Sequence, residues 1–167
     1  MAKAYKLFYL KDGKLYPPMV ANPNGEATPV GVWIDAVAAP RAKDSKTGRP
    51  HVKGGGKGTH SRPIELAYRP GWHLSETPYA PQFERMIDGK KQMPPELVWA
   101  LCEYSSNISY QEEAMAYGMT KNGKFRHAYA GLPFVPKNGY YRYRTNPRPD
   151  TPEWIIVGSI KVLEALK

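Results

Sequence analysis

Glu153 opens a strongly apolar run, Trp154-Ile155-Ile156-Val157, so its carboxylate should sit at the end of a sheet strand on a rigidly held backbone. That is a useful place for a catalytic acid, although a lone glutamate at a strand start also serves as a solvated end group. A second segment, Tyr68-Arg69-Pro70-Gly71-Trp72-His73-Leu74-Ser75, joins a Pro-Gly turn to reactive side chains. If the residues after the turn are extended, His73 and Ser75 share one face and Trp72 points the other way. Imidazole, hydroxyl and aromatic groups beside a glycine can bind a polar ring or amide by directed hydrogen bonds and stacking. A plain Pro-Gly turn with a partly exposed histidine fits the same residues.

Other constellations point elsewhere. Tyr140, Tyr141 and Tyr143 alternate with Arg142 and Arg144, with Arg148 close behind, a pattern that can stack bases and neutralise phosphates. Alternate tyrosines can equally cover the faces of an edge strand. His73, His127 and Glu153 together offer acid and base groups of the kind RNA cleavage needs. Lys53-Gly54-Gly55-Gly56-Lys57-Gly58-Thr59 lacks the Gly-Lys-Ser/Thr ending of a phosphate-cradling loop, and no strong strand precedes it. The single cysteine, Cys102, lies in an apolar run and reads as packing, and no Cys/His spacing resembles a zinc site. No metal is expected. Met115 and Met119 read as core filler.

Charge narrows the partners. The formal net charge is +9, but residues 41–62 carry +6 and residues 121–148 carry +7, while the rest of the chain is acidic. Two basic segments therefore make the whole excess, which suggests an electropositive face for a polyanion, a nucleic acid or a dinucleotide, or a solubilising surface. Lys53, Lys57, Arg62, Arg142 and Arg148 are the candidate nucleic-acid contacts. At 167 residues with ordinary apolar content, the chain is expected to form one domain, 1–167, with an exposed basic Gly-rich loop at about 40–63. One cysteine, no apolar signal core near the start and no run long enough to span a bilayer fit a cytoplasmic setting, in a bacterium or a phage-infected host cell.

The elements that must hold these residues follow from pattern and punctuation. Tyr5–Leu10 reads as a strand turning through Asp12-Gly13 into Leu15-Tyr16. Strands are expected at 64–68, 97–104, 139–145 and 153–157, with a short apolar segment at 31–35. Thr77–Ile87 reads as a short helix with Thr77 as N-cap and Pro78 at its first position. Asn107–Tyr117 reads as a brief helix or turn, and Ser159–Lys167 as a strand or short helix. Many short strands, few helices and frequent proline breaks predict an α+β fold dominated by antiparallel sheet.

Glu153-Trp154-Ile155-Ile156-Val157, followed by Gly158-Ser159-Ile160-Lys161-Val162, resembles the last motif of ADP-ribosyltransferases of the diphtheria-toxin and poly(ADP-ribose) polymerase type, as found in phage and mobile-element polyvalent proteins. Gly71-Trp72-His73-Leu74-Ser75, with Ala80 and Phe83, is similar to that family's middle motif. The resemblance implies an enzyme that uses NAD+ to modify a macromolecular acceptor, protein or nucleic acid, as an effector or counter-defence factor. In it Glu153 stabilises the cationic ribose of the transition state. Trp72 or Tyr79 stacks on nicotinamide, Gly71 shapes the segment, and His73 and Ser75 contact the ribose or hold Glu153. Basic residues from Arg142 to Arg148, Arg144 among them, neutralise the pyrophosphate. The family's first strand carries an Arg or His, yet Tyr5–Leu10 offers only Lys6 and Tyr9. In a second register Ile64–His73 is the first motif, with Arg69 or His73 as its marker, and the middle motif falls at Tyr104-Ser105-Ser106. The enzyme reading is expected to place Glu153 and His73 in one cleft and to fail if they lie on opposite surfaces. A non-catalytic nucleic-acid-binding module and a small RNase-like fold are the alternatives.

Overall fold

Asp12 and Gly13 both have positive φ, 52° and 75°, the backbone that a two-residue type I′ hairpin demands and that an Asp-Gly pair readily adopts. They join strand β1 (Ala2–Lys11) to β2 (Lys14–Tyr16) in a computed structural model that describes residues 2–18, 22, 25–38, 41–43, 50–52, 66–124, 130–144 and 153–166. The chain continues through β3 (Trp33–Asp35), a small separate sheet of β4 (Arg41–Lys43), β5 (Pro50–Val52) and β6 (Leu66–Ala67), and then β7 (Trp72–Ser75). A hairpin follows, β8 (Arg85–Ile87) and β9 (Lys90–Gln92), then β10 (Leu97–Tyr104), β11 (Ile108–Ser109) and helix α1 (Gln111–Tyr117). The last strands are β12 (Gly139–Tyr143), β13 (Trp154–Val157) and β14 (Ser159–Ala165). The result is mostly sheet with one short α-helix among the described residues, in the α+β manner expected. No described helix is long and apolar enough to cross a membrane.

The main sheet runs β11-β12-β13-β7-β1-β10-β14-β3, with β2 beside β1. Every pairing is antiparallel except β11 with β12. β13 is third in this order and β14 seventh, yet only Gly158 separates them in sequence, so the sheet must curl to bring its two halves together. A Cβ on Gly158 would lie 2.4 Å from the Pro136 carbonyl oxygen, so only glycine fits this corner. The Trp72 indole and the Ser159 hydroxyl both donate to the Ile34 carbonyl of β3, at 3.1 and 3.2 Å, and fasten the closure. Apolar side chains of alternate residues fill the inside of the curl, Phe8, Leu74, Ile155, Val157 and Val162 among them. The outer face carries Tyr141, Tyr143 and Ile156 against Ala114 of α1, Ala130 and Leu132, and Leu7 against Ala80, Phe83 and Leu97.

Three local expectations change. The Thr77–Ile87 helix is absent: one 3₁₀ turn, Pro81–Phe83, is followed by the β8–β9 hairpin. Pro81 keeps Ala80 out of the helical region, and Asp88-Gly89, with φ of 51° and 75°, makes a second I′ turn that pairs the flanking residues. β4 and β5 lie inside the stretch expected as a loop at 40–63, while β6 falls within the strand expected at 64–68, of which residues 64 and 65 lie outside the described residues. Met115 and Met119 are exposed rather than core filler: Ala114 is the buried residue of α1, and Met119 lies past the end of that helix.

Candidate functional site

Register decides which of the candidate residues meet. β13 pairs β7 with Trp154 opposite Ser75 and Ile156 opposite His73, and pairs β12 with Trp154 opposite Tyr143 and Ile155 opposite Arg142. Side chains alternate along a strand. His73, Ser75, Tyr143, Trp154 and Ile156 therefore share the outer face. Trp72, Leu74, Arg142 and Ile155 share the inner one, where the curl opens at its rim.

At that rim Glu153 meets two guanidinium groups. Arg142 Nη1 donates to its Oε2 at 3.5 Å and Arg144 Nε to its Oε1 at 3.4 Å. Arg142 Nη1 also donates to Glu76 Oε1 in a short ion pair. The side chains of Glu153, Arg142 and Arg144 are 32%, 30% and 27% exposed, so the cluster is open to solvent without being bathed in it. Burial raises the Tyr104 phenol above its ordinary range, and the nearby Arg142 charge opposes that rise. Against its own desolvation, the bond and charge of Glu76 carry the Arg142 pKa upward. Tyr140 packs edge-on against Tyr104 at 6.2 Å, and the adjacent Ser105 is buried with its hydroxyl unpartnered among the described residues.

His73 belongs to a different environment. Its Nε2 lies 3.0 Å from the Arg69 carbonyl, which only accepts, so Nε2 carries the proton of the neutral ring. Burial first, then the nearby Lys6 charge, drives its pKa down to about 4, and the bond to Arg69 only partly opposes them. Arg69 straps this region: its guanidinium sits 3.9 Å from the Tyr143 ring centroid and its Nε donates to the Ala130 carbonyl at 2.9 Å.

These placements correct several expectations. Glu153 and His73 do not line one cleft, because an odd three-residue offset between Glu153 and Ile156, the partner of His73, sends them to opposite faces. Trp72 is buried with its indole bonded to Ile34, so it cannot stack on nicotinamide, whereas Tyr79 is 51% exposed. Gly71, at φ 140°, is required by packing: a Cβ there would lie 2.6 Å from Ile156 Cγ2. Ser75 is fully buried on the outer face, its hydroxyl unpartnered among the described residues. Tyr141 and Tyr143 are buried, which removes them from the expected stacking surface for a nucleic acid, while Arg142 is paired with Glu76 and Glu153 and stays partly exposed. Lys53, Lys57, Arg62, His127 and Arg148 lie outside the described residues.

Sequence reasoning missed Lys6 as a buried charge. Its ammonium donates to the His73 carbonyl at 3.3 Å and lies 5.4 and 5.6 Å from the Phe8 and Trp72 rings. Burial lowers its pKa to about 8. The signal was present in the alternation Ala4-Lys6-Phe8, which puts Lys6 on the apolar side of its strand. Among the described residues no three His, Cys, Asp or Glu side chains cluster as a metal site. Comparisons with protein-family models, curated proteins and solved structures find no match for this chain.

Proposed function

We propose that the chain is an ADP-ribosyltransferase-like domain that uses NAD+ at the rim where Glu153 meets Arg142 and Arg144, with a macromolecule as acceptor. The observation that carries the reading is the clasp on Glu153. Arg142 of β12 and Arg144 just past its end hold both oxygens of the carboxylate that precedes β13, at distances near the long limit for hydrogen bonds. Contacts that long are readily exchanged for a better anion, and a pyrophosphate offers one. As the arginines turn toward the pyrophosphate, the carboxylate is released beside the ribose.

The chemistry then follows. The bond from ribose C1′ to the nicotinamide nitrogen breaks, its electron pair leaves on nicotinamide, and a nucleophile of the acceptor closes on C1′. Positive charge develops on the ribose in between, and a fixed carboxylate stabilises it most where water is scarce. Tyr104, within reach of the Arg142 charge, and the unspent Ser105 hydroxyl belong to the register in which Tyr104-Ser105-Ser106 is the middle motif. This reading departs from the expected one, in which Glu153 and His73 share a cleft: Glu153 acts without His73, and His73 and Trp72 organise the sheet and touch neither substrate.

The test is NAD+ turnover and transfer of labelled ADP-ribose to mixed protein and nucleic-acid acceptors. Glu153→Gln should lower the rate roughly a hundredfold or more, the scale for removing a charge that acts in the transition state. Turnover that persists in Glu153→Gln, or no turnover by the parent chain with any acceptor, would sink the reading.

A further inference from the structure

We infer that Gln111 is a positioning residue for the rim site, its side-chain amide standing in for a missing strand. The chain of β11 runs beside β12 and pairs with it: Ile108 N–H donates to the Asn138 carbonyl at 3.1 Å and Tyr110 N–H to the Tyr140 carbonyl at 2.9 Å. The next groups on the same edge belong to Arg142. There the main chain departs into α1, whose first residue is Gln111.

The side chain continues the ladder. Gln111 Nε2 donates to the Arg142 carbonyl at 2.9 Å, and Arg142 N–H donates to Gln111 Oε1 at 2.7 Å. A carboxamide presents a donor and an acceptor side by side as a peptide group does, so one side chain satisfies both backbone groups. Arg142 pairs with Ile155 on its other side, and both of its own polar groups point away from β13, toward Gln111. Nothing else described holds that edge of Arg142.

Arg142 is the node of the rim, since its guanidinium reaches both Glu76 and Glu153. Fixing its backbone on both sides fixes where that guanidinium begins, and hence where Glu153 is held. The catalytic part of this inference rests on the NAD+ reading; the positioning part does not.

The experiment separates the two. In Gln111→Met, the Arg142 amide should exchange with solvent at least tenfold faster and the Glu153 side-chain carboxyl carbon resonance should shift. In Gln111→Glu, which keeps the acceptor for Arg142 N–H, amide protection should be partly recovered. For NAD+ turnover, kcat should fall about tenfold in Gln111→Met with KM within about twofold, as expected for misplacing a group near the reaction rather than losing binding. Unchanged Arg142 exchange in Gln111→Met, or faster exchange with an unmoved Glu153 resonance, overturns the inference. Absence of NAD+ turnover in the parent chain defeats the proposed reaction, and the two resonance measurements still decide whether Gln111 positions the rim.

Discussion

Glu153 and His73 sit on or beside neighbouring strands yet face opposite sides of one sheet: Ile156, not Glu153, is level with His73, and the three-residue offset between them is odd. A carboxylate at an open rim and a half-buried imidazole bonded to the Arg69 carbonyl and edge-on to Tyr143 have different work to do.

Substitutions should therefore dissociate. Glu153→Gln should abolish NAD+ turnover while changing the stability by less than about 1 kcal/mol, since its ion pairs are partly exposed. His73→Ala should do the reverse in stability, lowering it by roughly 1–2 kcal/mol through lost packing of a half-buried ring and a lost hydrogen bond. Urea unfolding of both variants, read beside their turnover, distinguishes the roles.

Lys6 makes stability depend on pH in the alkaline range. Its folded pKa of about 8 lies below the ordinary 10.5, so between these values the unfolded chain holds a proton that the folded chain has lost. Stability should rise as pH climbs through that window and be lower by up to about 3 kcal/mol below it. His73, folded near 4 against an ordinary 6.5, adds the same sign in acid: stability should fall as pH drops from 6.5 toward 4. Lys6→Met should flatten the alkaline slope and stabilise the fold at neutral pH, because a buried charge is exchanged for an apolar group of similar length. It should also raise the His73 pKa, visible in imidazole NMR titration, since the Lys6 charge is one of the causes depressing it. A melting profile between pH 8 and 10.5 unchanged by the substitution would refute this account.

Strands were legible where local pattern agreed with tertiary demand. β10 and β13 are apolar runs bounded by breaks, and both lie in the middle of the sheet. The hairpin at Arg85–Gln92 was missed because Pro78 and Thr77 mimic a helix start, while the decisive signal, Asp88-Gly89, is two residues long. At the site, the chemistry of Glu153 was visible but its partners were not. Whether Arg142 faces Glu153 or His73 depends on a β12–β13 register fixed by contacts far apart in sequence. The Gln111 clamp leaves no pattern in the chain, since it exists only where a helix begins beside a strand edge.

Cys102 should be inert to thiol reagents in the native protein. Burial pushes its thiol up to about 12, and the Lys6 charge only partly offsets this. Modification by a maleimide at pH 8 should appear only at denaturant concentrations that unfold the chain. Rapid labelling in native buffer would mean that the interior of the curl opens far more readily than its packing implies.

The corner at Gly158 carries the closure, and glycine-to-alanine substitutions measure it. At Gly89, where φ is 75° and nothing lies within 4 Å of a new Cβ, alanine should cost only about 1 kcal/mol of backbone strain. At Gly158 the new methyl would meet the Pro136 carbonyl oxygen at 2.4 Å and its carbon at 3.0 Å, main-chain atoms that cannot rotate aside. The cost there should exceed roughly 3 kcal/mol, beyond ordinary overpacking, because relief requires β13 and β14 to separate from the 136–139 turn. Equal urea midpoints for the two variants would show that the sheet closes without this corner, and that the Trp72 and Ser159 bonds to Ile34 suffice to hold it.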